Sequence, residues 1–252
     1  MFIENTKVIS NKKIAENTFL LEVDKENFDC NFLPGQFFNL QVSESSFPLL
    51  RRPFSISDVN ETSFSFMYKV VGEGTKIISE KKSGEIINLL GPLGNSFEIN
   101  NEYEHYFLLG GGIGIAPFPF LIKTFSENQN YSVLFGVRTK SESHTYGINN
   151  VSFSSDDGSI GFKGNTIQLL DKKLEEFKNK KVKVLACGPN PMFRALQKFV
   201  KEKEIDCDVS MESTMACGFG ICQGCPIDYK GEESYKLICK DGPVFNIKDI
   251  II

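Results

Sequence analysis

The 252-residue sequence contains no tryptophan and only two histidines, His105 and His144. Neither histidine shows a pairing with Cys187, so we do not expect a cysteine–histidine nucleophile. Both histidines are expected to be ordinary surface or turn residues. No acid–base pair suited to breaking a substrate C–H bond is recognisable either. The scarcity of such groups argues against a protein that performs substrate bond chemistry with its own side chains.

The sequence also lacks an excess of charge of one sign and any long apolar run. It has 28 basic and 32 acidic residues, and its longest basic cluster is KNKKVK at 178–183. A nucleic-acid-binding face would need a basic excess, and none is visible. No run approaches the roughly 18 apolar residues of a membrane span, and MFIENTKVIS does not have the pattern of a signal peptide. We therefore expect a cytoplasmic protein.

Apolar residues make up 41% of the chain and charged residues 24%, which is ordinary for a globular protein. The length allows two compact domains and a small appendage. Seven cysteines are present, an odd number, and four of them lie in the last 36 residues. Because cytoplasmic thiols stay reduced, a disulfide framework is not expected. The C-terminal concentration of thiols needs a local explanation.

The pattern of the chain divides it into three segments. Residues 1–98 contain short β-prone runs such as NTFLLEVD and GQFFNLQV with Gly/Pro punctuation, which predict an antiparallel β-barrel. One short helix is predicted to begin at Thr75 as its N-cap. Residues 99–210 alternate strands with helices, which predicts a parallel α/β sheet. Residues 211–252 are loop-like, with a predicted hairpin in PIDYKGEESYKLIC and a short terminal strand.

The C-terminal thiols are spaced C-x4-C-x2-C-x13-C, formed by Cys217, Cys222, Cys225 and Cys239. This order is the plant-ferredoxin spacing for a [2Fe–2S] cluster, which needs four thiolates. Glycines between the first three cysteines allow a tight loop whose N–H groups approach the cluster sulfurs. The alternatives are structural zinc and unrelated buried cysteines. Zinc sites more often show paired C-x2-C knuckles, and only one such pair is present here.

Two segments of the first domain suit a flavin diphosphate. In RRPFSIS, the Arg52 guanidinium matches the geometry of a pyrophosphate, Pro53 holds the backbone extended, and Ser55 could bond the isoalloxazine. In VGEGTKII, glycines lead into the helix start at Thr75, where free N–H groups suit an anion. Each segment alone could be an ordinary strand edge or helix start. Together they favour a flavin site in the barrel.

Two strand–loop–helix junctions suit a dinucleotide. YFLLGGGIGIAPF at 106–118 places glycines between a strand and a helix, although it does not match the G-x-G-x-x-G fingerprint. VLACGPNPMF at 184–193 is a second junction, at the carboxyl edge of the same predicted sheet. Cys187, at that strand end, is either a buried thiol or a contact near a nicotinamide.

These motifs together resemble the ferredoxin-reductase superfamily and, more narrowly, the family of dihydroorotate dehydrogenase B electron-transfer subunits (PyrK). The resemblance covers essentially the whole chain. The C-terminal cysteine module is the feature that points to the narrower family within the superfamily. It implies FAD, one [2Fe–2S] cluster and NAD as cofactors. It also implies an FMN-containing dihydroorotate dehydrogenase catalytic subunit as partner, in a heterotetramer with two copies of each subunit. Electrons would pass from the partner's FMN through the cluster and FAD to NAD+ in pyrimidine biosynthesis.

The resemblance also implies a role for each matching residue. It places the following residues at FAD: Arg52, Pro53, Phe54, Ser55, Met67, Tyr68, Lys69, Gly74 and Thr75. The implied nicotinamide residues are Gly111, Gly112, Gly114, Cys187, Gly188 and Pro189. The implied cluster ligands are Cys217, Cys222, Cys225 and Cys239. The implied segments are an FAD-binding barrel at 1–98, an NAD-binding α/β domain at 99–210 and a cluster module at 211–252.

Some features leave alternatives open. The wider superfamily commonly has Tyr where Phe54 stands, so a hydroxyl contact is lost there. Arg138 and Lys140 could meet a 2′-phosphate or lie in solvent, so the sequence does not separate NAD from NADP. Another reductase subunit, of the ferredoxin–NADP transhydrogenase or sulfide dehydrogenase type, would carry the same three modules. A zinc-binding regulatory module is the alternative from another class.

Overall fold

A computed structural model describes residues 1–45, 47–231 and 234–252. Its strands are β1 (Phe2–Ala15), β2 (Thr18–Asp24), β3 (Phe37–Leu40), β4 (Arg52–Val59), β5 (Ser63–Lys69), β6 (Ile86–Leu93), β7 (His105–Gly111), β8 (Tyr131–Val137), β9 (Val151–Ser155), β10 (Phe162–Lys163), β11 (Val182–Cys187), β12 (Asp206–Ser210), β13 (Pro226–Tyr229), β14 (Tyr235–Leu237), β15 (Val244–Asn246) and β16 (Ile250–Ile251). Its α-helices are α1 (Glu73–Ser79), α2 (Phe118–Lys123), α3 (Thr166–Leu174) and α4 (Asn190–Glu202).

The first six strands form a closed antiparallel barrel in the order β1-β2-β5-β4-β3-β6, which confirms the predicted barrel. Its interior is a cluster of phenylalanines, in which the ring centroid of Phe38 lies 5.5 Å from that of Phe28 and 5.2 Å from that of Phe64. The alternation of side chains along β3 sends Phe38 inward and its neighbours outward. β1 is not evident from the sequence, because polar residues occupy most of its positions.

The second sheet has the order β10-β9-β8-β7-β11-β12-β15. Its first six strands are parallel, which confirms the predicted α/β region. The strands β9 and β10 are short and were not expected from the sequence. Because β7 and β11 are neighbours, their carboxyl ends lie side by side, where open α/β sheets bind ligands.

Helix α1 differs from its expected start. It begins at Glu73 with Gly72 as the N-cap, so the prediction of Thr75 as N-cap is wrong. Thr75 is the third helical residue, and its Oγ1 accepts hydrogen bonds from the amides of Val71 (2.9 Å) and Gly72 (3.2 Å). Its side chain therefore reaches back to the cap, as the third residue of a capping box does.

The C-terminal segment is joined to the α/β sheet by β15, which pairs antiparallel with β12. β13 and β14 pair as the predicted hairpin, with Pro226 opposite Leu237, while positions 232 and 233 of its turn lie outside the described residues. Ile247 and Ile250 are fully buried in the same core as β7 and β11. Across the three described ranges, no helix combines the length and apolarity needed to cross a membrane.

Candidate cofactor sites

A cavity of 410 Å³ lies where the three segments of the chain meet, within the size range of small-molecule sites. Its barrel wall includes Arg52, Pro53, Phe54, Ser55, Met67, Tyr68, Lys69 and Thr75. Its α/β wall includes Ile113, Ala116 and Ser210. Met211, Glu212, Met215 and Pro243 complete it from the C-terminal segment. The structure thus brings eight of the nine sequence-predicted flavin residues to one cavity.

The ninth, Gly74, lies directly beneath Arg52. A Cβ on Gly74 would stand 3.0 Å from both Nε and Nη2 of Arg52. The guanidinium therefore covers the first turn of α1, and glycine at 74 is what allows that approach. A cation and free helix amides at one place suit a phosphate group.

The other side of the cavity is aromatic. The rings of Phe54 and Tyr68 stack with centroids 5.1 Å apart and planes 16° apart. The Tyr68 hydroxyl donates to Asn11 Oδ1 at 3.0 Å. Burial raises the pKa of Tyr68 well above its ordinary value, so the phenol stays neutral. The stacked pair offers a flat apolar wall to a planar ring.

Lys69 connects this wall to the α/β domain. Its Nζ lies 2.7 Å from Glu142 Oε1, and Arg138 Nη2 lies 2.5 Å from the same oxygen. The hydrogen bond from Arg138, with further support from Lys69, lowers the pKa of Glu142 to about 2 against the opposing effect of burial. Arg138, predicted to meet either a 2′-phosphate or solvent, is thus already paired with a carboxylate.

The two predicted nucleotide loops touch through their glycines. A Cβ on Gly114 would stand 2.2 Å from the carbonyl oxygen of Cys187 and 2.6 Å from the Gly188 nitrogen. A Cβ on Gly111 would stand 3.0 Å from Pro189 Cδ. By contrast, no heavy atom of the described residues lies within 4 Å of a Cβ built on Gly112, whose φ is +55°. The loops therefore pack together and leave the Gly112 backbone open to a ligand.

Cys187 ends β11 and Glu212 lies just beyond β12, so both lie at the same edge of this sheet. Burial, and then the negative charge of Glu212, raise the pKa of Cys187 well above its ordinary value, so Cys187 remains a thiol. Glu212 is exposed and lines the cavity, and desolvation by the protein around its carboxyl group raises its pKa. Sequence reasoning missed Glu212. Its place just beyond β12, at the carboxyl edge of a parallel sheet, is the signal that points to it.

The four C-terminal cysteines lie as two pairs. The amide of Cys222 donates to Cys217 Sγ at 3.4 Å, and the amide of Cys239 donates to Cys225 Sγ at 3.4 Å. Burial raises the pKa of Cys217, but N–H groups of Cys222, Phe219 and Ile221 outweigh it and lower the pKa to about 6. Burial and the neighbouring Cys225 raise the pKa of Cys239 to about 12.

This arrangement fits a two-iron cluster. Two pairs of thiols match two metal atoms that each take two thiolates, and N–H groups already point at the sulfurs. Gly218 and Gly220 hold the loop with φ of +82° and +89°, which a side chain would strain. Within the described ranges, no three Cys, His, Asp or Glu side chains form a site for a single ion.

The comparison with protein families matches residues 212–251 to the iron–sulfur cluster binding domain of dihydroorotate dehydrogenase B. The dihydroorotate dehydrogenase B (NAD(+)) electron transfer subunit of Caldanaerobacter subterraneus subsp. tengcongensis is 36% identical, over 97% of each chain. The subunit of the same name from Fusobacterium nucleatum subsp. nucleatum is 34% identical, over 100% of each chain.

Solved structures show the same architecture. A structure of the NADH-dependent reduced ferredoxin–NADP oxidoreductase superposes with a TM-score of 0.85 at 30% identity, covering 98% of this chain and 89% of that chain. Phthalate dioxygenase reductase superposes with a TM-score of 0.65 at 16% identity, over 84% of this chain and 70% of that one, and shows the fold alone. With its near full-length relatives and matching C-terminal domain, the chain belongs to the family of dihydroorotate dehydrogenase B electron transfer subunits.

Proposed function

We propose that this chain carries electrons from the FMN of a dihydroorotate-oxidising partner, through its own [2Fe–2S] cluster and FAD, to NAD+ in pyrimidine biosynthesis. The observation that carries the proposal is the single cavity whose walls come from the barrel, the nucleotide loops and the cysteine segment. Electron transfer needs its centres close together, and the flavin cavity is bordered by Ile113 from the first nucleotide loop and by Met215, two residues before Cys217. The family to which the chain belongs supports the same function.

In this proposal FAD would bind in the cavity, with Arg52, Gly74 and Thr75 at its diphosphate. Bound there, FAD would transfer two electrons at once at the nicotinamide and one electron at a time at the cluster. Pro53 would keep β4 extended along the cavity wall. The stacked Phe54 and Tyr68 would offer a flat surface to the isoalloxazine ring, and the cavity side chains of Ser55, Met67 and Lys69 would border it. These residues would bind and orient the flavin and exclude water from it.

NAD is placed against the open backbone of Gly112, between the packed loops of Gly111, Gly114, Gly188 and Pro189. Cys187, held as a thiol at this edge, borders the nicotinamide. Glu142 supports NAD over NADP, because it already neutralises Arg138, one of the two cations that the sequence offers for a 2′-phosphate.

Cys217, Cys222, Cys225 and Cys239 are proposed as the cluster ligands. Their loop also supplies the proposed docking face, because Ile221 is 77% and Phe219 38% exposed beside the exposed Cys222. Exposed apolar side chains next to a redox centre suit a protein partner more than solvent. We assign the partner as an FMN-containing dihydroorotate dehydrogenase catalytic subunit.

The wider organisation is proposed on the same basis. The segments 1–98, 99–210 and 211–252 would serve FAD, NAD and the cluster respectively. Two copies of each subunit would form a heterotetramer, which native mass spectrometry of the complex tests. Among the residues that the structure describes, no cysteine is paired in a disulfide, which suits the reducing cytoplasm.

Anaerobic pull-down with the tagged chain from its native cell tests the proposal. We expect recovery of a flavoprotein that contains FMN and oxidises dihydroorotate, with NAD+ reduced only when both proteins are present. Ile221→Glu should lower recovery at least tenfold. Ile3→Glu, a matched change at a 62% exposed isoleucine on β1, should not. Recovery of a partner without dihydroorotate activity contradicts the proposal.

One observation favours a second function. The structural similarity to the NADH-dependent reduced ferredoxin–NADP oxidoreductase covers 98% of this chain. A subunit of that type would be recovered with a partner that uses NADPH and ferredoxin. Oxidation of reduced ferredoxin by the recovered complex, without any response to dihydroorotate, selects this function over the first.

A further inference from the structure

Asn39 is a polar residue in an otherwise apolar strand, FFNL, and it is 0% exposed. Neither Nδ2 nor Oδ1 of its side chain has a hydrogen-bond partner among the residues that the structure describes. A buried amide without a partner costs about 1–3 kcal/mol. Buried polar groups are almost always satisfied, so this side chain requires a partner that the protein atoms do not supply.

The carboxamide points at the cysteine loop. Phe38 and Leu40 face the barrel interior, so Asn39 between them faces outward. A Cβ built on Gly218 would stand 2.0 Å from Asn39 Nδ2 and 3.2 Å from Leu93 Cδ1. Gly218 directly follows Cys217, so Nδ2 lies beside the backbone next to the first proposed cluster ligand. A larger residue at 218 would close this approach.

Asn39 also adjoins the flavin wall. In the pairing of β3 with β4, Asn39 lies opposite Pro53, and Phe37 of the same strand lines the cavity. Arg51 Nη1 donates to the Asn39 carbonyl oxygen at 3.2 Å and fixes the backbone there. The residue therefore stands between the flavin cavity on one side and the cysteine loop on the other.

We propose that Asn39 Nδ2 donates a hydrogen bond to an inorganic sulfide of the cluster bound beside Gly218. The inference rests on the proposed cluster ligands and adds a positioning residue from another domain. An N–H donor stabilises the more negative, reduced cluster and so raises its reduction potential. The bond also ties the cysteine loop to the strand that borders the flavin.

A potentiometric titration of the cluster, followed by electron paramagnetic resonance, tests this. Asn39→Leu keeps the branched shape and the number of heavy atoms of the side chain and removes the donor. We expect full iron content and a reduction equilibrium about tenfold less favourable, which is about 59 mV lower for a one-electron couple. Leu93→Ala is the matched control, because it loosens packing on the same glycine but removes no donor. It should not lower the potential.

The results of this titration distinguish failure of the Asn39 proposal from failure of the proposed cluster. Wild-type protein without an iron–sulfur signal would contradict the cluster itself. An intact cluster with an unchanged potential in Asn39→Leu would contradict the role of Asn39 alone. Equal lowering in Leu93→Ala would also contradict it, because packing would then explain the shift.

A second measurement covers the case in which Asn39→Leu does not assemble. Wild-type protein carrying asparagine labelled with ¹⁵N at Nδ2 is reduced and studied by pulsed electron paramagnetic resonance. A ¹⁵N coupling to the cluster, absent in Asn39→Ser, supports the bond. No coupling in the wild-type protein overturns it.

Discussion

At the scale of single residues, two neighbouring arginines have different surroundings. Arg52 lines the flavin cavity above Gly74, while Arg51 Nη1 donates to the carbonyl oxygens of Asn39 and Asn88 at 3.2 Å each. Arg52→Ala should therefore weaken FAD binding about 10- to 100-fold, the effect of losing a charged hydrogen bond worth about 1.5–3 kcal/mol. Isothermal titration of the flavin-free protein with FAD measures it. Arg51→Ala, the matched control, should leave FAD affinity unchanged; equal losses in both variants would contradict the assignment.

Glu142 gives a prediction with a defined pH dependence. Its folded-state pKa of about 2 lies below the ordinary value of 4.5, so its stabilising effect is complete above pH 4.5 and is lost as the pH falls toward 2. Glu142→Gln should lower the free energy of unfolding by about 1–2 kcal/mol at pH 7, since Arg138 is largely exposed and the pair is partly screened. Urea unfolding of both proteins at pH 7 and pH 3.5 measures this. A difference between the proteins that stays constant across that range would contradict it.

At the scale of elements, Gly114 sets how closely the first nucleotide loop, which follows β7, approaches the end of β11. In Gly114→Ala the new Cβ meets backbone atoms of Cys187 and Gly188, which cannot rotate away. We expect NADH affinity to fall at least tenfold, with FAD and cluster absorbance retained. Stopped-flow titration with NADH measures it. Gly84→Ala, strained by its φ of +89° but in an exposed loop, should bind NADH normally; unaltered affinity in Gly114→Ala would contradict the loop assignment.

Local pattern determines how much of these elements the sequence could predict. Alternating apolar and polar residues predict the barrel, and the succession of strands and helices predicts the parallel sheet. The fixed gaps between four cysteines predict the cluster site. The start of α1 was misplaced, because Thr75 bonds the cap amides from inside the helix rather than from the cap. Asn39 and Glu212 were missed because their surroundings come from distant segments. The pairing of β15 with β12 likewise depends on contacts far apart in sequence.

At the scale of the whole molecule, one part of the C-terminal segment is held by backbone hydrogen bonds, and another part would be held by the cluster. β15 is held by backbone pairing with β12, and the amide of Met211 donates to the Pro243 carbonyl at 2.8 Å. The loop of the first three cysteines has no such pairing among the described residues and would depend on the cluster.

Removal of iron should therefore loosen only part of this segment. By hydrogen exchange, we expect amides 212–225 to exchange at least tenfold faster in iron-free protein, while the amides of β15 stay protected. Amides of β2, far from the cysteines in the barrel, serve as the internal control. Equal loss of protection at β15 would mean that the whole segment folds only with the cluster.

The central claim is that nicotinamide, flavin and iron–sulfur sites are connected within this one chain. The most direct test is the absorption spectrum of anaerobically purified protein before and after addition of NADH. We predict flavin bands together with broad iron–sulfur absorption, and bleaching of both by NADH. A colourless protein that rebinds neither flavin nor iron and holds zinc instead would contradict the account.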